Sequence, residues 1–223
     1  MIKVMSESLE MGKNKTTIII PALNEENTIL RVIREVKPFV VEIIVVDDFS
    51  SDRTAVIARQ EGAIVLSHDK NQGYDRSIDD GFVLAAERGA AVIVTFDADG
   101  QHKAEDISRF VGLILNNEAD VVVGKRPYRP RIAEHLFAFI SKIKLNIDDP
   151  LCGFKAYHIK VYEDVGYFDR VGSIGTQLVF AAKKRGYKIV QKDIMLNPRE
   201  DMTRFGYGMK ANWKIFKAIM RSL

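Results

Sequence analysis

The 223-residue sequence predicts an α/β fold in which helices cover both faces of a mainly parallel central sheet. Short apolar runs alternate with helical patterns through the first two-thirds of the chain, as is typical of βαβ units. One run, AAVIVTF at residues 90–96, is apolar on both faces, as expected of a buried strand in a parallel sheet. No linker or composition break divides the chain, so we expect one domain over residues 1–223.

The first half of the chain predicts four strands joined by three helices. Residues 16–21 (TTIIIP) form the first strand, and Ile29, Val32, Ile33 and Val36 then recur at the spacing of one helix face. The elements that follow are a strand at 41–46, a helix that Asp52 caps and Gly62 ends, a strand at 63–66, a helix marked by Ile78, Phe82 and Ala85 and closed by Gly89, and the strand at 90–96, which we expect at the centre of the sheet.

More elements complete the prediction, although the alternation is less regular beyond residue 125. No internal repeat or low-complexity tract interrupts them. They are a helix at 104–116 with Ile107, Phe110, Val111 and Ile114 on one face, a strand at 120–124, an amphipathic helix at 132–145, a short strand at 154–157, a helix at 176–186, a strand at 188–195 and a C-terminal helix.

Composition and charge narrow the class of protein. The formal net charge of +3 is too small to indicate a nucleic-acid partner, and the single cysteine, Cys152, excludes an internal disulfide. The N-terminus has no apolar signal-peptide region, and no apolar run approaches the roughly 20 residues that span a bilayer. We therefore expect a cytoplasmic protein for which any membrane contact is peripheral.

Polar, acid-rich sequences follow three of the predicted strands, at the positions where ligands bind in open parallel sheets. They begin at Pro21 (PALNEE), Asp47 (DDFSSD) and Asp97 (DADGQH). Residues i and i+2 of an extended chain lie on the same side about 7 Å apart, so the carboxylates of Asp97 and Asp99 can approach one cation. Gln101 adds a neutral oxygen, and such hard ligands suit Mg²⁺ or Mn²⁺.

Five segments follow one another in the sequence: TTIIIPALNEE, IIVVDDFSSDRT, VTFDADGQHKAEDI, VVVGKRP and DPLCGFKAY. In this order they resemble the motifs of family-2 inverting glycosyltransferases, and within that family those of the dolichyl-phosphate mannose synthase group. The resemblance extends from about residue 16 to residue 210. It implies a GT-A (Rossmann-like) fold, with a nucleotide-sugar-binding half at about 16–124 and an acceptor-side half at about 125–223. It also implies a UDP- or GDP-sugar donor whose diphosphate is bridged by a divalent cation.

The resemblance assigns roles to individual residues of this chain. Asp99 and Asp149 are the implied catalytic residues, Asp149 because it matches a D-x-x-(S/C)-G-F element beside the acceptor. Gly153 in that element is expected to permit close backbone approach, and Cys152 to be packed. The residues implied to bind the donor are Pro21, Ala22, Asn24, Glu25, either Asp47 or Asp48, Asp97, Ala98 and Asp99, and those implied to hold the cation are Asp97, Asp99 and Gln101.

Several candidate residues have a structural alternative. Asn24 and Glu25 could simply begin the first helix, and Asp52 is favoured as a helix cap over a ligand. His102 could contact the donor sugar or the leaving diphosphate, or be a structural residue of its loop. One residue departs from the family pattern: Asp75 stands where a second glycine is usual.

Basic residues are the candidates for phosphate and acceptor binding. Lys125 and Arg126 follow a strand end, so we expect them to face the crevice and neutralise phosphate; a solvated basic loop is the alternative. Arg199, Arg204 and Lys210 loosely resemble a late basic motif that closes over phosphates in the family.

The acceptor is predicted from a missing acid. Many family-2 enzymes place an acidic pair at a helix start to act as general base, and here Gly175-Thr176-Gln177 occupies that place. This favours an acceptor that is already ionised, such as a polyprenyl (dolichyl or undecaprenyl) phosphate. Asp149 would then position the acceptor or a cation.

Two segments bear on a membrane partner. Residues 131–145 and the C-terminal helix both combine apolar residues at helical spacing with lysine and arginine. Basic amphipathic helices can lie in a membrane interface, but core-facing helices share the same apolar spacing, so both interpretations are open.

The leading hypothesis is metal-dependent, inverting transfer of a sugar from a nucleotide sugar to a polyprenyl phosphate at the cytosolic face of a membrane. Two alternatives stand beside it. One is a family-2 enzyme that acts on a saccharide or another hydroxyl acceptor, and the other is a non-catalytic module that binds nucleotide sugars.

Overall fold

The computed structural model describes residues 16–128, 131–197, 213 and 215–218. Its centre is a seven-stranded sheet with the strand order β3-β2-β1-β4-β6-β5-β7. The predicted central strand is confirmed, because β4 is the middle strand of this order. The strands are β1 (Thr16–Ala22), β2 (Glu42–Asp47), β3 (Ile64–Ser67), β4 (Val92–Thr95), β5 (Val121–Lys125), β6 (Lys155–His158) and β7 (Ile189–Asp193).

The sheet is parallel except at β6. Strands β1 to β4 pair in parallel, as do β5 and β7, whereas β6 runs antiparallel to both β4 and β5. Thr95 at the end of β4 therefore pairs with Lys155 at the start of β6. This reversal brings the segment before β6 to the carboxyl end of β4, which is the edge where the sequence predicts the site.

Helices cover both faces of the sheet, as predicted. Helices α1, α2 and α4 contribute to one apolar core, and α3, α5, α6 and α7 contribute to the other. Neighbouring residues of β1 point into different cores, with Ile18 in the first and Ile19 in the second. The helices are α1 (Ile29–Val36), α2 (Thr54–Gln60), α3 (Tyr74–Glu87), α4 (Asp106–Leu115), α5 (Ile132–Leu145), α6 (Ile159–Val165) and α7 (Gln177–Lys184).

The sequence analysis missed two elements. Helix α6 follows β6 without a loop, and its start is capped by the His158 side chain, which accepts from the Lys160 amide. A short 3₁₀ helix at Lys37–Phe39 extends α1. Of the predicted C-terminal helix, Trp213 and residues 215–218 are described, and they are helical.

Membrane-spanning helices were not expected. Within the described ranges, no helix is both long enough and apolar enough to cross a membrane.

Candidate active site

A cleft opens at the carboxyl ends of β1 and β4. Of the six acidic residues predicted for the site it brings together three, Glu25, Asp97 and Asp99. It adds residues that the sequence analysis did not single out, notably Tyr74, Arg131, Glu134 and Ile174. Its lining is Pro21, Glu25, Tyr74, Asp97, Ala98, Asp99, Gln101, Arg126, Arg131, Glu134, Leu151, Gly153, Ile174 and Ile215.

Asp97 lies at the base of this cleft and is held from behind by His102. The two are joined by a 3.1 Å contact between His102 Nε2 and Asp97 Oδ2. The His102 ring is buried and packs 5.5 Å from the Phe96 ring and 5.6 Å from the Phe154 ring, measured between centroids. The structure therefore favours the structural alternative for His102, in which it orients Asp97.

The Asp97 side chain is 30% exposed and is ionised at neutral pH. Burial by itself would raise the pKa of Asp97. The hydrogen bond with His102 and the positive charges of Lys155 and Arg126 outweigh that effect and lower the pKa. An ionised carboxylate is what a cation ligand requires.

Gly153 explains how Asp97 fits against the start of β6. A Cβ atom at Gly153 would lie 2.2 Å from Asp97 Oδ2 and 2.6 Å from Asp97 Cγ. The sequence analysis expected a close backbone approach at this glycine, and the structure shows that Asp97 is the group that approaches. The Gly153 carbonyl also accepts a 2.6 Å hydrogen bond from Thr95 Oγ1, which fastens this segment to β4.

Asp99 and Gln101 share a tight loop after β4. Asp99 Oδ1 accepts a 3.1 Å hydrogen bond from the Gln101 amide, and the Gln101 carbonyl accepts from Asn197. Asp97, Asp99 and Gln101 line one cleft with oxygen donors, so this set fits a hard divalent cation. In the part of the chain that the structure describes, no group of three or more His, Cys, Asp or Glu side chains could hold a metal ion.

Asn24 joins the loop after β1 to the loop after β2. Its Oδ1 accepts from the Ser51 amide at 2.8 Å, and its own amide donates to Ser50 Oγ. The Glu25 carbonyl accepts from the Ile29 amide at the start of α1, while the Glu25 side chain lines the cleft. Asn24 therefore links the two loops by hydrogen bonds. Glu25 contributes its carbonyl to the start of α1 and its side chain to the wall of the cleft.

Asp52 stabilises the start of α2 from the position before the N-cap residue Arg53, which fits the structural role that the sequence favoured over a ligand. Its Oδ1 accepts from the Thr54 amide at 2.9 Å, at the start of α2. Its Oδ2 accepts from the Glu26 amide, which adds a second link between the two loops.

Asp47 and Asp48 differ in their partners. The Asp48 carboxylate accepts from the amides of Gln72 and Gly73 at 2.7 and 2.8 Å and contacts His68 Nδ1 at 2.8 Å. Asp47 is also buried, and its Oδ1 has no hydrogen-bond partner among the described residues. A buried acceptor left without a partner is costly, so Asp47 is the better of the two candidates for a ligand contact.

Arg126 is the predicted phosphate-binding residue that the structure places in the cleft. Its Nε and Nη2 donate to the two oxygens of Asp149 at 2.8 and 2.9 Å, and Nη2 also donates to Glu134 at 3.0 Å. Burial by itself would lower the pKa of Arg126. The hydrogen bonds and charge of Asp149 outweigh this effect, so the pKa is raised above its usual value. Asp149 is buried behind Arg126 and does not line the cleft.

Lys125 is not brought into the cleft. Its Nζ lies 3.7 Å from Asp148 and 3.6 Å from Asp193. Arg199, Arg204 and Lys210 lie outside the described residues.

Lys155 is a buried cation that the sequence analysis missed. Its Nζ donates to the Gly175 carbonyl at 3.1 Å, and burial lowers its pKa despite nearby acids that raise it, including Asp149 and Asp97. A lysine at the start of a strand carries no signal in the sequence that would mark it as part of a site.

The segment 175–177 presents no carboxylate to the cleft. Gln177 is turned toward the Arg170 amide, whose hydrogen it accepts at 2.6 Å, and Thr176 is fully buried. Asp75, which replaces a usual glycine, accepts from the Ile174 amide at 3.2 Å. Asp75 therefore holds this segment against the start of α3.

Comparison with protein families identifies the chain. The model of glycosyl transferase family 2 matches residues 17–165, which is more than half of the sequence. The chain belongs to this family. It is therefore a glycosyltransferase that uses a nucleotide sugar.

Relatives of this family-2 glycosyltransferase span nearly its whole length. An uncharacterized protein of Methanocaldococcus jannaschii is 30% identical over 241 residues, covering 100% of this chain and 98% of the relative. A dolichyl-phosphate hexose transferase of Haloferax volcanii is 29% identical over 200 residues, covering 84% of this chain and 85% of the relative.

Solved structures show that the glycosyltransferase has the GT-A fold. One of them is glucosyl-3-phosphoglycerate synthase from Mycobacterium tuberculosis in complex with Mn²⁺ and uridine-diphosphate-glucose. It is similar to this chain with a TM-score of 0.77 and 23% identity, covering 97% of this chain and 82% of the other. The predicted fold class is confirmed.

Proposed function

We propose that this glycosyltransferase moves a sugar, with inversion, from a nucleoside-diphosphate sugar to a polyprenyl phosphate. One observation carries the proposal. Asp97, Asp99 and Gln101, which are suited to a divalent cation, line the same cleft as the guanidinium groups of Arg126 and Arg131. One cavity thus contains oxygen ligands for a metal ion that would bind the donor diphosphate. It also contains two guanidinium groups that would bind a second phosphate.

The donor side is assigned to the β1 and β2 ends and to the DADGQ loop. Asp97, Asp99 and Gln101 would hold Mg²⁺ or Mn²⁺, which stabilises the negative charge that develops on the departing diphosphate. The contact with His102 and the closeness of Gly153 keep the Asp97 carboxylate in one orientation. The unpartnered oxygen of Asp47 is our candidate for the nucleoside contact.

The acceptor side is assigned to Arg126 and Arg131. An oxygen of the acceptor phosphate forms a bond to the anomeric carbon as the bond from that carbon to the diphosphate breaks, and the nucleoside diphosphate leaves with the electron pair. A phosphate needs no general base for this attack. That fits a cleft in which Gln177 and Thr176 offer no carboxylate and Asp149 is already bound to Arg126. The name of the Haloferax volcanii relative points to the same class of acceptor.

A membrane surface is the proposed location of the acceptor. Four large apolar side chains on α5, namely Ile132, Leu136, Phe139 and Ile143, are exposed by 44% to 85%. Their spacing places them on one stripe of the helix. The exposed face that carries this stripe includes Lys142 and Lys144. The stripe is not core-facing, so we place α5 at a cytosolic membrane face, where a lipid phosphate would reach Arg131, the residue that immediately precedes the helix.

The decisive experiment combines a donor screen with two acceptors. UDP- and GDP-sugars are tested with Mn²⁺, with Mg²⁺ and with EDTA, using either a polyprenyl phosphate or a free sugar as acceptor. We expect metal-dependent transfer to the lipid phosphate. Robust transfer to the free sugar with none to lipid phosphate would sink the proposed acceptor, and nucleotide binding without any turnover would indicate a binding module.

The cation ligands are tested by substitution. Asp97→Ala and Asp99→Ala should lower transfer about 100-fold or more and abolish the metal dependence of nucleotide binding, because each removes a ligand. Glu87→Ala, at an exposed position in α3, is the matched control and should behave as the wild type. Unchanged metal-dependent binding in both aspartate variants would contradict the assignment.

A further inference from the structure

Glu134 is a buried acid in the wall of the cleft. It lies in the first turn of α5, is 2% exposed, and is flanked by two arginines that also line the cleft. A carboxylate in this place would repel an incoming phosphate unless its charge were balanced. Its contacts show how the charge is balanced.

Each oxygen of Glu134 binds a different arginine. Oε2 accepts from Arg126 Nη2 at 3.0 Å, and Oε1 accepts from Arg131 Nη1 at 2.5 Å. Such charge-assisted bonds are strong and directional, and they fix the plane of a guanidinium group. Glu134 therefore sets the relative orientation of the two cations that face the cleft.

Asp149 and Glu134 together hold Arg126 by one edge. They bind its Nε and Nη2, whereas its Nη1 has no hydrogen-bond partner among the described residues. A guanidinium carries five N–H donors, so this arrangement leaves donors for an anion while three hydrogen bonds hold the side chain. Donors held in place before the anion arrives cost no reorganisation when it binds.

Glu134 also connects two parts of the fold. Arg126 directly follows β5, whereas Glu134 belongs to the helix with the exposed apolar stripe. Elsewhere along α5, Phe137 packs edge-on against Phe180 of α7, with ring centroids 6.0 Å apart. The Glu134 contact thus ties the first turn of α5 to the end of β5.

We propose that Glu134 is a positioning residue for the acceptor phosphate, acting through Arg126 and Arg131. This inference rests on the proposed function, because it assigns these arginines to the acceptor. A carboxylate that only stabilised the fold, or only favoured the start of α5, would affect the donor and acceptor steps alike. Glu134 should affect the acceptor step alone.

The test uses Glu134→Gln, which keeps the size and loses the charge, and Glu134→Asp, which keeps the charge. Steady-state kinetics with farnesyl phosphate should show an acceptor KM raised about tenfold or more in Glu134→Gln. The donor KM and the rate of donor hydrolysis without acceptor should stay within about twofold of the wild type. Glu134→Asp should recover part of the loss, and the exposed Glu87→Gln should show none.

Calorimetric titration of farnesyl phosphate into protein saturated with nucleoside diphosphate and Mn²⁺ separates the two proposals. If the wild type binds no farnesyl phosphate, the acceptor class and the role of Glu134 both fail. If the wild type binds and transfers, an acceptor KM in Glu134→Gln that is unchanged or lowered overturns the role of Glu134 alone. A loss of donor affinity in Glu134→Gln that matches its loss of acceptor affinity also overturns the role of Glu134. Should Glu134→Gln not fold, Glu134→Asp decides, and a wild-type acceptor KM there overturns the role.

Discussion

Asp97 and Gly153 show how the site depends on single residues. They are far apart in the sequence, yet the carboxylate of one occupies the space that a side chain at the other would need. Glycine is needed at this position for its contact with Asp97 and not for its backbone conformation, since its φ is not in the left-handed region. An added side-chain atom at this position would force Asp97 or the start of β6 to move.

We predict that Gly153→Ala displaces the Asp97 carboxylate. The added Cβ would lie 2.2 Å from Asp97 Oδ2, so the carboxylate or the start of β6 must move. Transfer activity should fall about tenfold or more, and so should the factor by which Mn²⁺ increases the affinity for nucleotide. The reason is that a shift of a ligand by a fraction of an ångström is enough to disturb a cation site. Enzyme assays and nucleotide titrations with Mn²⁺ measure these effects.

Gly112→Ala provides the matched control for this glycine substitution. Gly112 lies in α4, and a Cβ added there would meet nothing within 4 Å. This variant should keep full activity and gain about 0.5–1 kcal/mol in free energy of unfolding, because alanine favours the helix. Full activity in Gly153→Ala would show that the contact with Asp97 does not matter to the site.

Helix α5 has two faces with different surroundings. Glu134 and Phe137 are buried on its inner face, whereas Phe139 and Ile143 are 64% and 68% exposed on its outer face. Sequence periodicity alone left the orientation of this helix open. The exposed stripe begins next to the cleft, since Arg131 and Glu134 at the start of α5 line it.

We predict that the α5 stripe binds anionic bilayers. Phe139→Glu and Ile143→Glu should each weaken binding to vesicles that contain anionic lipid by at least about tenfold. Each variant loses an apolar side chain that would be buried in the bilayer and gains a charge that anionic lipid repels. Flotation of the protein with vesicles measures this binding.

Val56→Glu is the control for these substitutions, because Val56 is also an exposed apolar residue but lies in α2. It should float with vesicles as the wild type does. Equal flotation of all three variants would rule out a membrane role for α5, whereas a change in oligomeric state in the α5 variants alone would point to a second copy of the chain as the partner of the stripe.

At the scale of the whole molecule, several carboxylates link stability to pH. The pKa of Asp148 is lowered chiefly by its hydrogen bond with Lys142. The pKa of Asp120 is lowered by Lys160 and by the Lys188 amide, which outweigh the effect of burial. A carboxyl group whose pKa is lower in the folded protein stabilises the fold above its unfolded pKa, and this stability is lost as pH falls through the folded pKa.

We predict a melting temperature that falls below about pH 4, where these carboxylates begin to bind protons. Asp120→Asn should melt at a lower temperature at pH 7 and lose part of this pH dependence. Thermal unfolding followed by circular dichroism from pH 7 to pH 3 measures both effects. A slope in Asp120→Asn equal to that of the wild type would exclude Asp120 as a contributor.

Much of the fold could be predicted because the spacing of apolar residues along the chain indicates which segments are helices and which are strands. Ile29, Val32, Ile33 and Val36 lie at helical spacing, and all four are fully buried in α1. Helix α5 begins and ends where its pattern predicts. Helix α6 was missed because it follows β6 directly, without the loop residues that separate elements in a sequence.

The sequence alone is enough to predict all seven strands, every α-helix except α6, the family, and the acidic strand end that carries Asp97 and Asp99. These follow from patterns within a few residues of each other. Only the tertiary structure decided that Glu134 binds Arg126, that Gly153 faces Asp97, and that the α5 stripe is exposed. The physical reason is that such contacts join residues from different elements, and the reversed strand β6 and the packing of α5 determine which of those elements meet.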